Sequence, residues 1–336
     1  MRIGVLGAGT WGMALARMLA NDDHQVEVWS AIKEEIDELS SSRKHKNLPG
    51  MVIPDAIVFT KDIEEVCRDK DILLFAVPSV YVRNTVKSAA PYIPDGQIIV
   101  DVAKGIEAST LFTMSQVIED VLSDEAHKNV KVVALSGPTH AEEVARDLPT
   151  TIVSASKDEE SAKLVQDIFM NTCMRVYTND DVLGIELCGA LKNIIALAAG
   201  ISTGLGYGDN AKAAIITRGM VEMTRLGLKM GAKQTTFAGL AGIGDLIVTA
   251  TSMHSRNNRC GMLIGQGVKP MEAVKQVGMV VEGVNALPAA MRLIEKYEVE
   301  MPITAMVNAI VEEKIDPKSA VNALMQRDKK NEMNFG

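Results

Sequence analysis

Apolar and polar positions along the chain fall into two regimes that meet near residue 180. Before that point, short apolar runs alternate with amphipathic stretches. Residues 3–6, 25–29, 57–60, 72–77, 98–102 and 130–135 read as strands, the run at 72–77 ending at Pro78. Runs of that length fit strands buried on both faces. Residues 13–20, 63–68, 80–89 and 161–169 read as helices, and Leu111, Met114, Val117, Ile118 and Val121 recur at helical spacing. Residues 151–155 and 174–177 add two outer strands around the 161–169 helix. This alternation predicts an α/β domain built on a doubly wound parallel sheet, with ligands at the carboxyl ends of its strands.

Beyond residue 180 the strand signals stop and helical segments rich in alanine and methionine take over. The chain is therefore expected to form a dinucleotide-type domain over 1–180 and an all-α domain over 181–336. Residues 200–210 and 239–245 are glycine-rich and read as loops. Residues 255–259 read as a helix start, 304–314 and 320–327 as closing helices, and the polar tail 328–336 as disordered.

One apolar stretch, 183–201, has the length of a buried core helix and reaches only the edge of a membrane span. Lys192 lies near its middle. An ammonium there must meet a partner, lose its proton, or face a wet cavity. A lysine so held can exchange a proton near neutral pH; the bland alternative runs its head along the stem to the surface.

Composition narrows the classes. The chain has 336 residues, 47% hydrophobic and 23% charged, with a formal net charge of -8. An acidic balance argues against nucleic acid as a partner. The four cysteines, Cys67, Cys173, Cys188 and Cys260, contain no CxxC pair and read as free thiols in a reducing compartment. No metal-ligand spacing joins them to the histidines. The first residues read as a strand and turn rather than a signal peptide, which predicts a cytoplasmic protein without stable membrane insertion.

The chemistry begins at Gly7-Ala8-Gly9-Thr10-Trp11-Gly12, placed between the first strand and a helical pattern. In that setting G-x-G-x-x-G is a dinucleotide fingerprint, and it makes the sheet Rossmann-type. Gly7 permits the tight turn, Gly9 lets backbone approach a pyrophosphate, and Gly12 lets helix pack on strand. The helix N-terminus offers free N–H groups to the phosphates. An NADH-type site usually ends its second strand in Asp or Glu. Here the strand ends Trp29-Ser30-Ala31, with neither an acid to repel a 2′-phosphate nor an arginine to greet one. Glu27 lies inside the strand, and Arg43-Lys44-His45-Lys46 reads as a solvated loop. NADPH is therefore expected to be accepted. Reduction of a carbonyl also needs a proton donor and anchors. Lys192 suits the first role; Lys104, Asp245 and Arg256 with Asn257 suit the second.

Seven segments together resemble the bacterial type of NAD(P)-dependent glycerol-3-phosphate dehydrogenase. They are the glycine turn at 7–12, Ala103-Lys104-Gly105-Ile106-Glu107, the run 136–145 that opens Ser136-Gly137-Pro138-Thr139-His140, Leu191-Lys192-Asn193, the run 239–246, Ser255-Arg256-Asn257, and Val281-Glu282-Gly283. They occur in the family's order and span nearly the whole chain. The resemblance implies reversible NADPH- or NADH-dependent reduction of dihydroxyacetone phosphate to sn-glycerol 3-phosphate, feeding phospholipid synthesis. It implies Lys192 as catalytic acid/base, and substrate contacts from Lys104, Gly137, Thr139, Lys192, Asp245, Ser255, Arg256 and Asn257. Cofactor contacts would come from Thr10, Trp11, Lys104, Ala141, Arg256, Val280 and Glu282, beside the turn glycines Gly7, Gly9 and Gly12. The chain departs from the family at Ser30-Ala31, where a basic residue is usual, at Thr139 in place of serine, and at His140 in place of an aromatic. The helical second half predicts a homodimer. Two alternatives stay open: another two-domain hydroxyacid-type dehydrogenase, and a non-catalytic dinucleotide-sensing module, which would have no use for Lys192.

Overall fold

The computed structural model describes residues 1–329, 331 and 332; of the tail expected to be disordered, Lys330 and residues 333–336 lie outside the described residues. The chain divides into two compact units, Met1–Lys104 with Phe112–Val182, and Gly105–Leu111 with Leu183–Gly336. Residues 105–111 thus join the second unit, with Ile106 in its core, which a single cut near residue 180 did not provide for.

The first unit is an eight-stranded sheet. Its strands are β1 (Arg2–Leu6), β2 (Gln25–Trp29), β3 (Val58–Thr60), β4 (Ile72–Phe75), β5 (Ile98–Asp101), β6 (Lys131–Ser136), β7 (Thr150–Ala155) and β8 (Met174–Asn179). Its helices are α1 (Thr10–Asn21), α2 (Lys33–Ser42), α3 (Ile63–Cys67), α4 (Val82–Ala89), α5 (Met114–Val121), α6 (Ala141–Val144) and α7 (Glu159–Met170). The strand order is β3-β2-β1-β4-β5-β6-β7-β8. The first six strands run parallel in the doubly wound order, with its reversal between β1 and β4. The two outer strands expected from the sequence are present and join by one antiparallel pair: β7 lies antiparallel to β6, and β8 parallel to β7. Between β6 and β7 the only helix is the four-residue α6, too little for the crossover that returns a parallel strand.

Period-2 alternation explains why helices cover both faces. Ile3, Val5, Ile72 and Leu74 point into one core, with Met13 and Leu15 of α1 and Phe169 of α7. Leu6, Leu73 and Phe75 point into the other, with Val82 and Val86 of α4 and Val117 and Ile118 of α5. A fully buried side chain such as Phe75 contributes roughly 1.5–3 kcal/mol. Helix α2 carries no strong apolar period and was not anticipated from the sequence.

The second unit is helical: α8 (Val182–Gly204), α9 (Asp209–Met230), α10 (Gln234–Phe237), α11 (Asp245–Thr251), α12 (Arg256–Gly265), α13 (Pro270–Val277), α14 (Glu282–Tyr297), α15 (Pro302–Val311) and α16 (Pro317–Met325). Helix α8 has the length and apolarity of a membrane span, with a mean hydropathy of 1.7, yet 94% of that window is buried inside the protein. It is the core helix of this unit. The loop expected over 200–210 shrinks to 205–208, because α8 runs on to Gly204. Glycine is kept there for contact: a Cβ on Gly200 would sit 2.1 Å from the Asn258 carbonyl oxygen, and one on Gly261 2.2 Å from that of Leu197. Backbones of α8 and α12 touch through these positions, and packing overrides glycine's poor helix propensity. The second expected loop is likewise helical, a single π turn at Leu240–Gly244 that leads into α11.

Glu222 on α9 is 3% exposed and caps α15. Its carboxylate accepts from the N–H groups of Ile303 (2.6 Å) and Thr304 (3.1 Å) and from the Thr304 hydroxyl. Burial is the main cause that pushes its pKa from 4.5 up to about 7, against those hydrogen bonds. A raised carboxyl pKa means the native state holds its proton where the unfolded chain has lost it. The penalty is absent below pH 4.5, grows as pH rises towards 7, and is complete above that. This carboxyl's contribution to stability should therefore decline across the window, and Glu222→Gln should remove that part of the pH dependence. Melting temperatures of both proteins against pH check this; parallel profiles would assign Glu222 no linked proton. Elsewhere, burial pushes Cys67 up to about 12 and Cys260 up to about 11, so these are packing thiols.

Candidate active site

Two groups of residues carry chemistry, one in each unit. In the first, β1 delivers the chain into the glycine turn at the carboxyl edge of the sheet. Gly7 adopts φ +123° and donates its N–H to the Trp29 carbonyl at 2.8 Å, tying the ends of β1 and β2 together. A Cβ on Gly12 would lie 2.1 Å from the Gly7 carbonyl oxygen, whereas one on Gly9 would meet no atom within 4 Å. The turn is thus closed on its inner side and open at Gly9. Helix α1 starts there with Gly9 as its N-cap, no side-chain cap and no acid in its first turn. Backbone N–H groups facing open space at the positive end of a twelve-residue helix fit a pyrophosphate. Thr10 and Trp11 open that helix, both partly exposed.

The same unit brings Lys104, Gly137 and Thr139 together. Lys104, after β5, donates Nζ–H to the Gly137 carbonyl at 3.0 Å, and the Thr139 hydroxyl donates to the same oxygen at 3.2 Å. Residues from two strand ends thereby share one acceptor. Ala141 is buried and opens α6, with His140 as its N-cap.

In the second unit Lys192 is 5% exposed, and its amine does not run to the surface. It donates to Asp245 Oδ1 at 2.5 Å and to the Thr249 hydroxyl oxygen at 2.6 Å. Asp245 is 0% exposed and is the first residue of α11, not its cap. Thr249, one turn later on α11, also donates to the Asp245 carbonyl at 2.6 Å. A buried cation, a buried carboxylate and a hydroxyl therefore form one polar island in an apolar helix core. Such an island costs desolvation that pairing offsets only where each group is hydrogen-bonded.

Ser255 caps α12 by accepting from Asn258 N–H at 3.2 Å. Arg256 opens that helix and is exposed, while Asn257 is buried. The Asn257 amide donates to Asn193 at 2.9 Å and accepts from Gly283 N–H at 2.8 Å. These bonds lock α8, α12 and α14 together, so Asn257 has an internal structural task that its place in the motif did not reveal. Gly283 follows Glu282, the first residue of α14, and Val280 precedes that helix; both Val280 and Glu282 are partly exposed.

Sequence reasoning missed three participants. Thr249 was legible in principle, four residues after Asp245 and so on the same helix face. His45 and Asn47 were not. The 43–46 run is only half solvated: Lys44 and Lys46 are exposed, but His45 is 5% exposed and its ring accepts from the Asn47 N–H at 3.2 Å. Arg43 donates to the carbonyls of Pro54 and Ile57 and lies 5.2 Å over the Phe59 ring. The Asn47 amide donates to the Thr10 hydroxyl oxygen at 3.3 Å.

Comparison with known proteins agrees with this geometry. Residues 2–162 match the profile of the N-terminus of NAD-dependent glycerol-3-phosphate dehydrogenase, and residues 181–322 that of its C-terminus. A glycerol-3-phosphate dehydrogenase [NAD(P)+] of Lactobacillus delbrueckii subsp. bulgaricus is 67% identical over 333 residues, 99% of each chain. One from Agathobacter rectalis is 53% identical over 330 residues, 98% of this chain and 97% of that one. The crystal structure of the glycerol-3-phosphate dehydrogenase of Coxiella burnetii superimposes with a TM-score of 0.92 at 37% identity, covering 97% of this chain and 99% of that one. With two profiles spanning its length and an uncapped, open glycine turn of the kind such proteins need, the chain belongs to the NAD-dependent glycerol-3-phosphate dehydrogenase family.

Proposed function

We propose that this enzyme reversibly reduces dihydroxyacetone phosphate to sn-glycerol 3-phosphate with NADH or NADPH. The observation that carries the reading is the buried Lys192–Asp245–Thr249 island in a chain that follows the family end to end. A bound reduced nicotinamide supplies the hydride, and the residues around Gly9 would hold its pyrophosphate. Lys192 is the acid: as the carbonyl carbon gains a hydride, the carbonyl π pair moves to oxygen and takes a proton from Nζ. In the reverse direction the neutral amine takes that proton back. Asp245 and Thr249 hold Nζ in place, and the Asp245 carboxylate balances its charge. Lys104, Gly137 and Thr139, with Ser255, Arg256 and Asn257, would bind substrate. Ala141, Val280 and Glu282, with Lys104 and Arg256, would complete the cofactor contacts.

On this reading the first unit, with its boundary near residue 180, carries the glycine turn for the dinucleotide, the second carries the lysine that supplies the proton, and both lend residues to substrate and cofactor. The product has two free hydroxyls ready for acylation, which suits supply to phospholipid synthesis in the cytoplasm. The helical second unit suits a homodimer, which light scattering would reveal. The primary test mixes the protein with reduced cofactor and dihydroxyacetone phosphate and follows loss of nicotinamide absorbance. No consumption with either cofactor would sink the reading.

Arg256 is the exposed cation that would anchor the phosphate. Arg256→Ala should raise KM for dihydroxyacetone phosphate by about 10–100-fold, the worth of a hydrogen bond to a charged group. Turnover of unphosphorylated dihydroxyacetone should change little. Equal losses on both substrates would remove the phosphate role.

A further inference from the structure

We propose that Glu35 is the residue that sets cofactor choice, biasing this enzyme towards NADH by placing a carboxylate where the extra phosphate of NADPH would lie. The proposal rests on the dinucleotide reading of the glycine turn and extends it to the ribose.

The sequence shows no acid at the end of β2, but the fold supplies one from the next helix. Ser30, buried at that strand end, donates its hydroxyl to Glu35 Oε2 at 2.7 Å and accepts from Ile32 N–H at 3.2 Å. Glu35 lies in the first turn of α2 and is half-buried. The serine thus draws the carboxylate back to the position that a terminal Asp or Glu occupies in an NADH-type site. The glycine turn is directly adjacent, since Gly7 N–H is bonded to the Trp29 carbonyl. The buried His45 ring, which accepts from the Asn47 N–H at 3.2 Å, is influenced by both the Ala8 backbone of that turn and the Glu35 carboxylate.

The basic side chains nearby do not reverse this sign at the strand end. Arg43 has its guanidinium on two backbone carbonyls, and Lys33, Lys44 and Lys46 are exposed, with no ammonium in place of the Ser30–Glu35 contact. A carboxylate accepts readily from the vicinal hydroxyls of an unphosphorylated ribose. A 2′-phosphate brings like charge against it instead.

A structural reading competes: the Ser30–Glu35 bond could merely start α2, which has no other side-chain cap. The two readings separate in a binding experiment. Dissociation constants for NADH and NADPH are measured by quenching of the intrinsic fluorescence of Trp11 and Trp29, for the native chain, Glu35→Gln and Glu35→Lys, each checked for an unchanged melting curve. Native protein should bind NADH more tightly. Glu35→Gln should tighten NADPH by about tenfold relative to NADH, and Glu35→Lys should do so further. A common shift for both cofactors in every folded variant would assign Glu35 to helix initiation and overturn the proposal. Tighter binding of NADPH by the native protein would also overturn it. If neither cofactor binds native protein, the dinucleotide reading itself fails, a result distinct from the other two.

Discussion

Lys192→Ala is expected to lower kcat for dihydroxyacetone phosphate reduction by a factor of about 10²–10⁴, the usual contribution of a positioned proton donor. Dinucleotide affinity should stay as it is, because the glycine turn belongs to the other unit. The same substitution removes the cation from Asp245, which is 0% exposed. Removing one partner of a buried pair costs on the order of 3–5 kcal/mol, so the variant should also melt earlier and must be assayed well below that point. Lys192→Arg separates the two effects. Arginine keeps a cation beside Asp245 and recovers part of the stability, but it does not release a proton at any working pH. Turnover by Lys192→Arg should therefore stay close to that of Lys192→Ala. Native turnover in either variant would end the acid role assigned to Lys192.

The second large effect is expected at the glycine turn, where neighbouring glycines should respond in opposite ways. Gly9 has φ -67°, which any residue tolerates, and a Cβ there meets no atom within 4 Å. Gly9→Ala should fold and melt like the native protein, yet weaken NADH and NADPH by roughly tenfold or more, since the methyl occupies the space that the pyrophosphate needs. Gly12→Ala would force a Cβ to 2.1 Å from the Gly7 carbonyl oxygen and 3.1 Å from the Ala76 side chain. Overpacking of that kind costs about 1–3 kcal/mol, so this variant should lose stability first and affinity with it. Calorimetry and cofactor titration on the pair read both. Unaltered cofactor affinity in Gly9→Ala would show that the opening beside α1 is not the phosphate cradle.

These contrasts mark where reading the chain succeeded. Strands β1 and β4 to β6 were legible because each is a short apolar run closed by a turn residue, and β2 because polar and apolar residues alternate along it. The glycine turn was legible because its spacing and its flanks are local. Helix α2 was not, since its residues are mostly polar and carry no strong apolar period. Strand β7 was legible as an outer strand, but not its antiparallel direction, because direction is set by the connection and not by strand composition. Gly200 and Gly204 suggested a loop, yet both are helical because another helix lies against them.

Local pattern was enough to establish a doubly wound sheet with a fingerprint turn, a helical second half, and a lysine stranded in an apolar helix. Periodicity and short motifs are properties of neighbouring residues and need no fold to be seen. Folding alone decided that Lys192 meets Asp245 and Thr249, that Asn257 ties three helices rather than standing free, and that Glu35 supplies the acid missing after Trp29. Partners drawn from separate elements are chosen by packing, because a buried charge or amide must find whichever complementary group the closed core brings within hydrogen-bond reach.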